Sequence, residues 1–334
     1  MVKNVNITDV AKLAGVSTAT VSYYLNGHFN KMSALTRARI AQTIKETGYV
    51  PNAQARVLSN KTTGVVAVLI CNIANNWAGE ILRGMESVAN DKGYQIIVCD
   101  TAFDSKSENL CVEKMLSLGV DGFIIQPTGQ VRTIRDRLSK AGKPMVFYDY
   151  SPFDMKGSWV KTNLYDAFYN SVSECAERGY EDCVILAADS SGARTRLERM
   201  QGISDAVTAR KMSSSILPIS HQAPSQDELT HYFQYSINPS KRTLIVCPHQ
   251  WALTRIFEAM RPCMHLVPDR IGILGIDNAD WSSLVTPSLS TIIEPVREEG
   301  AFAFKALASQ LEGTSQTPLC EVFECTTNWQ GSTL

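Results

Sequence analysis

Arg194, Arg196 and Arg199 crowd one short stretch of the chain, and Arg196 and Arg199, spaced i and i+3, share one face of any helix drawn through them. Two guanidiniums converging in this way suit a carboxylate or phosphate through forked hydrogen bonds; on a solvated helix face the same pair would bind nothing. Asp277 follows the apolar run "GILGI". A carboxylate just past a strand end can accept bonds from two adjacent hydroxyls, or it can cap its own loop. Trp77 opens a helical stretch, where its flat face could meet a sugar ring or fill a core. His221, His231, His249 and His265 have no cysteine, serine or acid partner evident in the sequence. GxGxxG after a strand, GxxxxGK[ST] and GxSxG are missing too, so the chemistry expected is binding, with no catalytic residue, metal or cofactor. Nine cysteines between Cys71 and Cys325 form no CxxC pair and read as reduced packing residues.

A second group of polar residues lies near the start, in "GVSTATVSYYLNG". Thr8 is expected to cap a short helix with Val10, Leu13 and Ala14 on one face, and Gly15 to end it in the left-handed conformation. Ser17 then caps a second helix that buries Val21 and Leu25 and turns Thr18, Ala19, Ser22 and Tyr23 outward. A third helix follows Ser33, with Leu35, Ile40 and Ile44 inward, and stops at Gly48. Helix, turn and helix braced by a third make a helix-turn-helix unit, and an outward face pared of bulk suits entry into a DNA major groove. Charge agrees. Residues 1–61 hold eight basic side chains against Asp9 and Glu46, a net +6, while the whole chain carries −1 and the remainder therefore −7. Pro51 and Asn52 then open a short segment, Ala53 to Leu58, that is unstable alone in water and either folds on a surface or stays a linker.

The 334 residues suffice for two or three compact units. From Val65 onward, "GVVAVLI", "QIIVC", "VDGFIIQ", "KPMVFYD", "DCVILAA", "SSILPIS", "TLIVCP" and "RIGILGI" read as buried parallel strands, and Gly93, Gly119, Gly142 and Gly179 as helix stops between them. The fold class expected is α/β: a small all-α head and two doubly wound lobes with a ligand cleft at the carboxyl ends of strands. The expected organisation is a head over 1–50, a linker over 51–63 and a body over 64–334. Its first lobe takes about 64–161 plus 294–320, and its second about 162–293 plus 321–334. The first twenty residues include Lys3, Asp9 and Lys12 and lack the apolar run of a secretory signal or membrane span, which predicts a cytoplasmic protein.

"ITDVAKLAGVSTATVSYYLNG", "MSALTRARIAQTIKETGYVPNAQARVLSNKTTGVVAVLI" and "VPDRIGILGIDNADW" resemble the bacterial lactose and galactose repressor (LacI/GalR) family over essentially the whole chain. The resemblance implies a homodimer on an inverted-repeat operator and a body of type I periplasmic-binding-protein architecture. It also implies a hinge helix over Asn52 to Ser59, with Leu58 wedged into the minor groove and Ala55 packed on its partner. Expected DNA contacts are Thr8, Ser17, Thr18, Ala19, Thr20, Ser22, Tyr23, Asn26, Lys31, Ser33, Asn52, Ala55, Arg56 and Leu58. Expected effector contacts are Asn75, Trp77, Arg196, Arg199, His249 and Asp277. Three places depart from the family pattern. Tyr23 replaces a common arginine, Asn76 and Ala78 replace a proline and an aromatic, and His249-Gln250 stands where relatives usually carry Asn-Asp. The function expected is a repressor of carbohydrate-utilisation genes controlled by a sugar or sugar acid. A sugar-binding transport or chemoreceptor component and a constitutive DNA binder are the alternatives; the basic head opposes the first of these.

Overall fold

The computed structural model describes residues 5–25, 27–49, 62–150, 157–188, 194–220, 222–238, 240–276, 281–315 and 317–334. The chain divides into two compact units, Met1–Thr63 and Gly64–Leu334.

The head is built of α1 (Ile7–Ala14), α2 (Thr18–Leu25) and α3 (Ala34–Thr47). Asn6 rather than Thr8 caps α1: its Oδ1 accepts the Thr8 and Asp9 N–H groups at 2.9 and 3.1 Å, and Asp9 returns a bond to the Asn6 N–H. Such a capping box satisfies orphan donors from both sides, which a hydroxyl two residues later cannot do. Gly15, at φ 64°, makes the left-handed exit. Ser17 caps α2 through the Thr20 N–H at 3.1 Å, and Ser33 caps α3 through the Thr36 N–H at 3.1 Å. Val10, Ala11, Ala14, Val21, Ile40 and Tyr49 form the buried core, with Val16, Leu25 and Ile44 packed against it. Two leucines expected in that core are outside it, Leu13 being 66% and Leu35 71% exposed. The inward arc of α1 runs through Val10, Ala11 and Ala14, so Leu13 falls beyond its edge. Leu35, five residues before Ile40, sits well over a turn away and on the far side of α3.

The body carries two six-stranded sheets among the described residues. The first contains β1 (Val65–Ile70), β2 (Gln95–Asp100), β3 (Gly122–Ile125), β4 (Met145–Tyr148), β5 (Ser158–Thr162) and β11 (Cys320–Phe323), in the spatial order β11-β5-β4-β3-β1-β2 and all parallel. The second contains β6 (Asp182–Ala187), β7 (Ser213–Pro218), β8 (Thr243–Cys247), β9 (Ile271–Ile276), β10 (Ser290–Ile293) and β12 (Thr326–Asn328). Its order is β12-β10-β9-β8-β6-β7, with only β12 antiparallel to its neighbour. Helices α4 (Asn76–Lys92) and α12 (Val296–Leu311) cover one face of the first sheet, and α5 (Ser105–Leu118) and α6 (Val131–Lys140) the other. The second sheet lies between α7 (Leu164–Glu177) with α8 (Arg194–Ala209) and α9 (Gln226–Tyr235) with α10 (Gln250–Met260), and the short α11 (Trp281–Leu284) follows β9.

The backbone passes between sheets after Thr162, after Ile293 and after Phe323. The last crossing falls a few residues beyond the expected 320/321 boundary, because Cys320–Phe323 pairs with β5 before the chain leaves the first lobe. Close helix contact depends on glycine at two points. A Cβ on Gly84 of α4 would lie 2.1 Å from the Arg297 carbonyl oxygen, and one on Gly300 of α12 would lie 2.1 Å from that of Ile81.

Candidate functional site

The outward side of α2 carries exposed Ser17, Thr18, Ala19 and Tyr23, with Thr20 and Ser22 half-buried. The hydroxyl of Thr20 pairs with that of Ser17 at 2.8 Å, so both are spent on holding the start of the helix. Thr18 and Ala19 are the small residues left facing out. Tyr23 is braced by Lys31, whose Nζ lies 4.5 Å from the ring centroid, and by the edge of His28 at 6.2 Å. A ring held in this way presents a phenolic oxygen and a neighbouring cation on one surface. Thr8, Lys31 and Ser33 are exposed as well, Ser33 as the cap of α3. Asn26, Asn52, Ala55, Arg56 and Leu58 lie outside the described residues.

The body's cleft lies where strands of both sheets end. The first lobe supplies Cys71 after β1, Gln126 after β3 and Asp149 after β4; the second supplies Arg196 and Arg199 on α8 and His249 after β8, and Glu294 follows β10. Gln126 is fixed at both ends of its amide, accepting the Cys71 N–H at 2.9 Å and donating to Asp149 Oδ2 at 2.8 Å. Asp149 has a left-handed backbone, φ 52°, and its N–H donates to Glu299 Oε1 at 2.9 Å. A non-glycine residue in that conformation needs support from its surroundings, and these bonds provide it.

Contacts cross the cleft at several places. Thr195 donates to Asp149 Oδ2 at 3.4 Å, Lys161 reaches both Glu198 oxygens at 2.8 Å, and the Arg196 guanidinium lies 4.6 Å from the Phe103 ring centroid. Arg199 Nη1 donates to the Pro248 carbonyl at 3.0 Å, and Nη2 stands 3.7 Å from Glu294. Phe103, at φ 56° after Ala102 at φ 50°, is carried into the cleft by a strained turn between β2 and α5.

Burial governs the charges. Asp149 is pushed up to about 7, first by desolvation and then by Glu294, against the pull of Arg199 and the Gln126 bond. Desolvation raises Glu294, with Arg199 and the Thr162 hydroxyl opposing it, and desolvation followed by Asp149 and Glu294 raises Glu299 well above the carboxylate range. His249 goes the other way, down to about 3, because it is buried and faces Arg199 and Arg196. Its Nε2 accepts the Ala188 N–H at 3.1 Å, so the proton of the neutral ring sits on Nδ1. The cleft therefore combines guanidinium and amide donors with carboxyls poised between proton donor and acceptor, an arrangement suited to a hydroxylated or acidic small molecule.

The profile of "Bacterial regulatory proteins, lacI family" matches residues 6–52, and that of the "Periplasmic binding protein-like domain" matches residues 172–333. The HTH-type transcriptional regulator PtxS of Pseudomonas putida is 29% identical over 316 residues, covering 94% of this chain and 91% of its own length. The ribose operon repressor of Escherichia coli K12 is 27% identical over 310 residues, covering 91% of this chain and 92% of its own. The Lac repressor dimer bound to operator and the anti-inducer ONPF superposes with a TM-score of 0.84 at 23% identity, over 99% of this chain and 100% of that one. The head of the chain is that of the LacI family of bacterial regulatory proteins. No helix among the described residues is long and apolar enough to cross a membrane.

Of the cleft residues expected from sequence, Asn75, Trp77, Arg196, Arg199 and His249 line one cavity, and Asp277 lies outside the described residues. They do not act alike. Asn75 caps α4, accepting the Trp77 N–H at 3.2 Å. Trp77, 7% exposed, stacks on Tyr148 with centroids 6.0 Å apart and serves the core while lining the cavity. The arginines fan apart: Arg194 leans toward Tyr150, Arg196 toward Phe103 and Arg199 toward Pro248 and Glu294. Sequence reading missed Gln126, Asp149 and Glu294. Each stands just past the carboxyl end of a strand, which is the signal that marks them in this fold. Phe103 had no such signal.

Proposed function

We propose that this protein is a sequence-specific DNA-binding transcriptional regulator, a repressor of carbohydrate-utilisation genes, switched by a sugar or sugar acid held between the lobes of its body. The observation that carries the reading is the union in one chain of a small-faced helix-turn-helix head with a cleft in which Arg196, Arg199 and Asp149 face one cavity. The ribose operon repressor and the operator-bound Lac repressor dimer support the same assignment. Two copies act together, each head entering one major groove of an inverted repeat. The protein acts in the cytoplasm, and nothing in its action requires catalysis.

The switch works through lobe arrangement. Lys161 with Glu198, Thr195 with Asp149, and Arg199 with Glu294 hold one arrangement of the lobes. An acidic ligand competes for Arg199, and whichever arrangement it binds better becomes the populated one. The test is fluorescence anisotropy on an inverted repeat chosen by randomised-operator selection, titrated against sugars, sugar acids and sugar phosphates. We expect at least one acid to move operator affinity by about tenfold or more, within the usual range of allosteric coupling. Silence across the panel would overturn the effector assignment, and a selection that returns no preferred sequence would overturn the regulator assignment.

A further inference from the structure

The arginine-lined cavity has a neighbour. Asn75, Gln250 and Trp251 are also walls of a second compartment, which lies between the loop after β1 and the start of α10. The two differ in size. The arginine compartment has a cavity volume of about 80 Å³ and its neighbour about 240 Å³. Small-molecule sites begin at roughly 300 Å³, so neither compartment alone reaches that size and the pair together does.

They also differ in chemistry. Among the described residues no charged side chain lines the second compartment; its polar side chains are the amides of Asn72, Asn75, Asn76 and Gln250 and the hydroxyl of Thr254, beside two indoles. Asn72 Oδ1 accepts the Ala74 N–H at 3.0 Å and Asn75 Oδ1 accepts the Trp77 N–H at 3.2 Å. With their carbonyl oxygens turned into their own loop, these amides present NH₂ donors beyond it. Gln250 Nε2 is buried with no hydrogen-bond partner. Such a donor is costly unless something meets it. Two indoles complete the wall. Trp251 stacks on His249 with centroids 5.7 Å apart, and Trp281 meets the edge of Phe257 at 6.2 Å, so both rings are set in place before any ligand arrives. Uncharged donors beside fixed aromatic faces match the hydroxyl oxygens and C–H face of a neutral glycosyl unit.

We propose that the effector is an acidic disaccharide, with its carboxylate-bearing unit seated by Arg196 and Arg199 and a neutral sugar unit in the compartment of amides and indoles. This rests on the proposed role of the cleft as the effector site. The acid supplies the charge that the arginines require, and the second sugar supplies the acceptors that Gln250 and the asparagines lack.

Isothermal titration calorimetry on the full chain tests it with matched probes: D-gluconate with cellobionate, D-glucuronate with cellobiouronate, and cellobiose as the neutral control. At least one acidic disaccharide should bind roughly tenfold or more tighter than its acidic monosaccharide, the worth of one or two net hydrogen bonds and a stacked ring. Ala74→Phe and Thr254→Phe, each filling the second compartment, should abolish that gain while leaving the monosaccharide's affinity unchanged, with thermal melting as the check that either variant is folded. If the acidic monosaccharides bind and their disaccharides gain nothing, or if the gain survives both filling variants, the inference fails and the effector site stands. Cellobiose binding as tightly as the acids would also overturn it. Should no probe bind, the cleft reading itself fails with it.

Discussion

Replacing Arg199 with methionine separates what this residue does for the fold from what it does for a ligand. The stem is preserved, while the bond to Pro248 O and the charge 3.7 Å from Glu294 are lost. Glu294 is 2% exposed and already held above the ordinary carboxylate range by burial, with Arg199 the first influence opposing that rise. Breaking a buried ion pair from one side costs about 3–5 kcal/mol. The separation here is long and the abandoned carboxyl can take up a proton, so about 3 kcal/mol is expected at about pH 8. The sign with pH follows from the direction of the shift. A carboxyl whose folded pKa lies above its unfolded value is tolerated in full below the unfolded pKa, and that stability is lost as pH rises through the folded one. Arg199→Met should therefore lie closest to the parent near about pH 5 and furthest from it near about pH 8. Adding Glu294→Gln removes the titrating group and should restore most of the stability without restoring the response to acidic effectors. Urea unfolding followed by circular dichroism across that pH range, with operator anisotropy on the same three proteins, measures both. A single variant as stable as the parent at the alkaline end, or a double variant that regains the effector response, would refute the reasoning.

Three shorter predictions follow from other parts of the molecule. Asp149, raised to about 7 by burial first and Glu294 second, makes the body lose stability as pH climbs from the ordinary carboxylate range toward 7; Asp149→Asn should flatten that slope in the same unfolding series. Gly84→Val sets a Cβ within 2.1 Å of a backbone oxygen that cannot retreat without moving α12, so a loss of about 3 kcal/mol, read as a lowered Tm, is expected. Tyr23→Ala removes the ring that Lys31 covers and should broaden base preference in a randomised-operator selection while sparing most nonspecific DNA affinity; an unchanged preference would take Tyr23 off the reading face.

The legibility of this chain follows the kind of force at work. Strands buried on both faces announced themselves as unbroken apolar runs in β1, β3, β4, β6, β8 and β9, whereas β2 and β7, expected to be buried as well, are edge strands, β2 half-buried and β7 largely exposed, because each has a neighbour on one side only. Strand β5 alternates buried and half-buried residues, β11 and β12 lie at sheet edges with exposed residues, and β10 begins "ST", so none of them carried that mark. In the head, apolar type suggested burial for Leu13 and Leu35, but the helices are too short for every leucine to find a partner, and the narrow inward arc went to Val10, Ala14, Ile40 and Ile44. The cleft shows the same division. Arg199 and His249 were identifiable by type and place, whereas the strained turn that delivers Phe103 is a property of backbone dihedrals with no residue signature, since alanine and phenylalanine seldom adopt positive φ.

The cleft is already engaged with itself, and this sets how an acid must bind. Arg199 faces Glu294, Asp149 receives Gln126 and Thr195, and a carboxylate brought to the guanidiniums adds negative charge beside two buried carboxyls. Three negative charges in a desolvated space cannot all persist, so the weakest holder of its charge takes a proton. Asp149, at about 7, is such a group, with Glu294 and Glu299 raised in the same direction. Binding of an acidic effector should therefore consume protons near neutrality, and affinity should rise as pH falls through 7 until the ligand's own carboxylate titrates. Calorimetry in two buffers of different ionisation enthalpy measures the uptake directly: the apparent enthalpies should differ for an acid, differ much less for a neutral sugar, and converge in Asp149→Asn. Identical enthalpies for an acid that binds the parent protein would mean that its carboxylate is held away from Asp149 and Glu294, and the arginines would then have to be assigned to another part of the ligand.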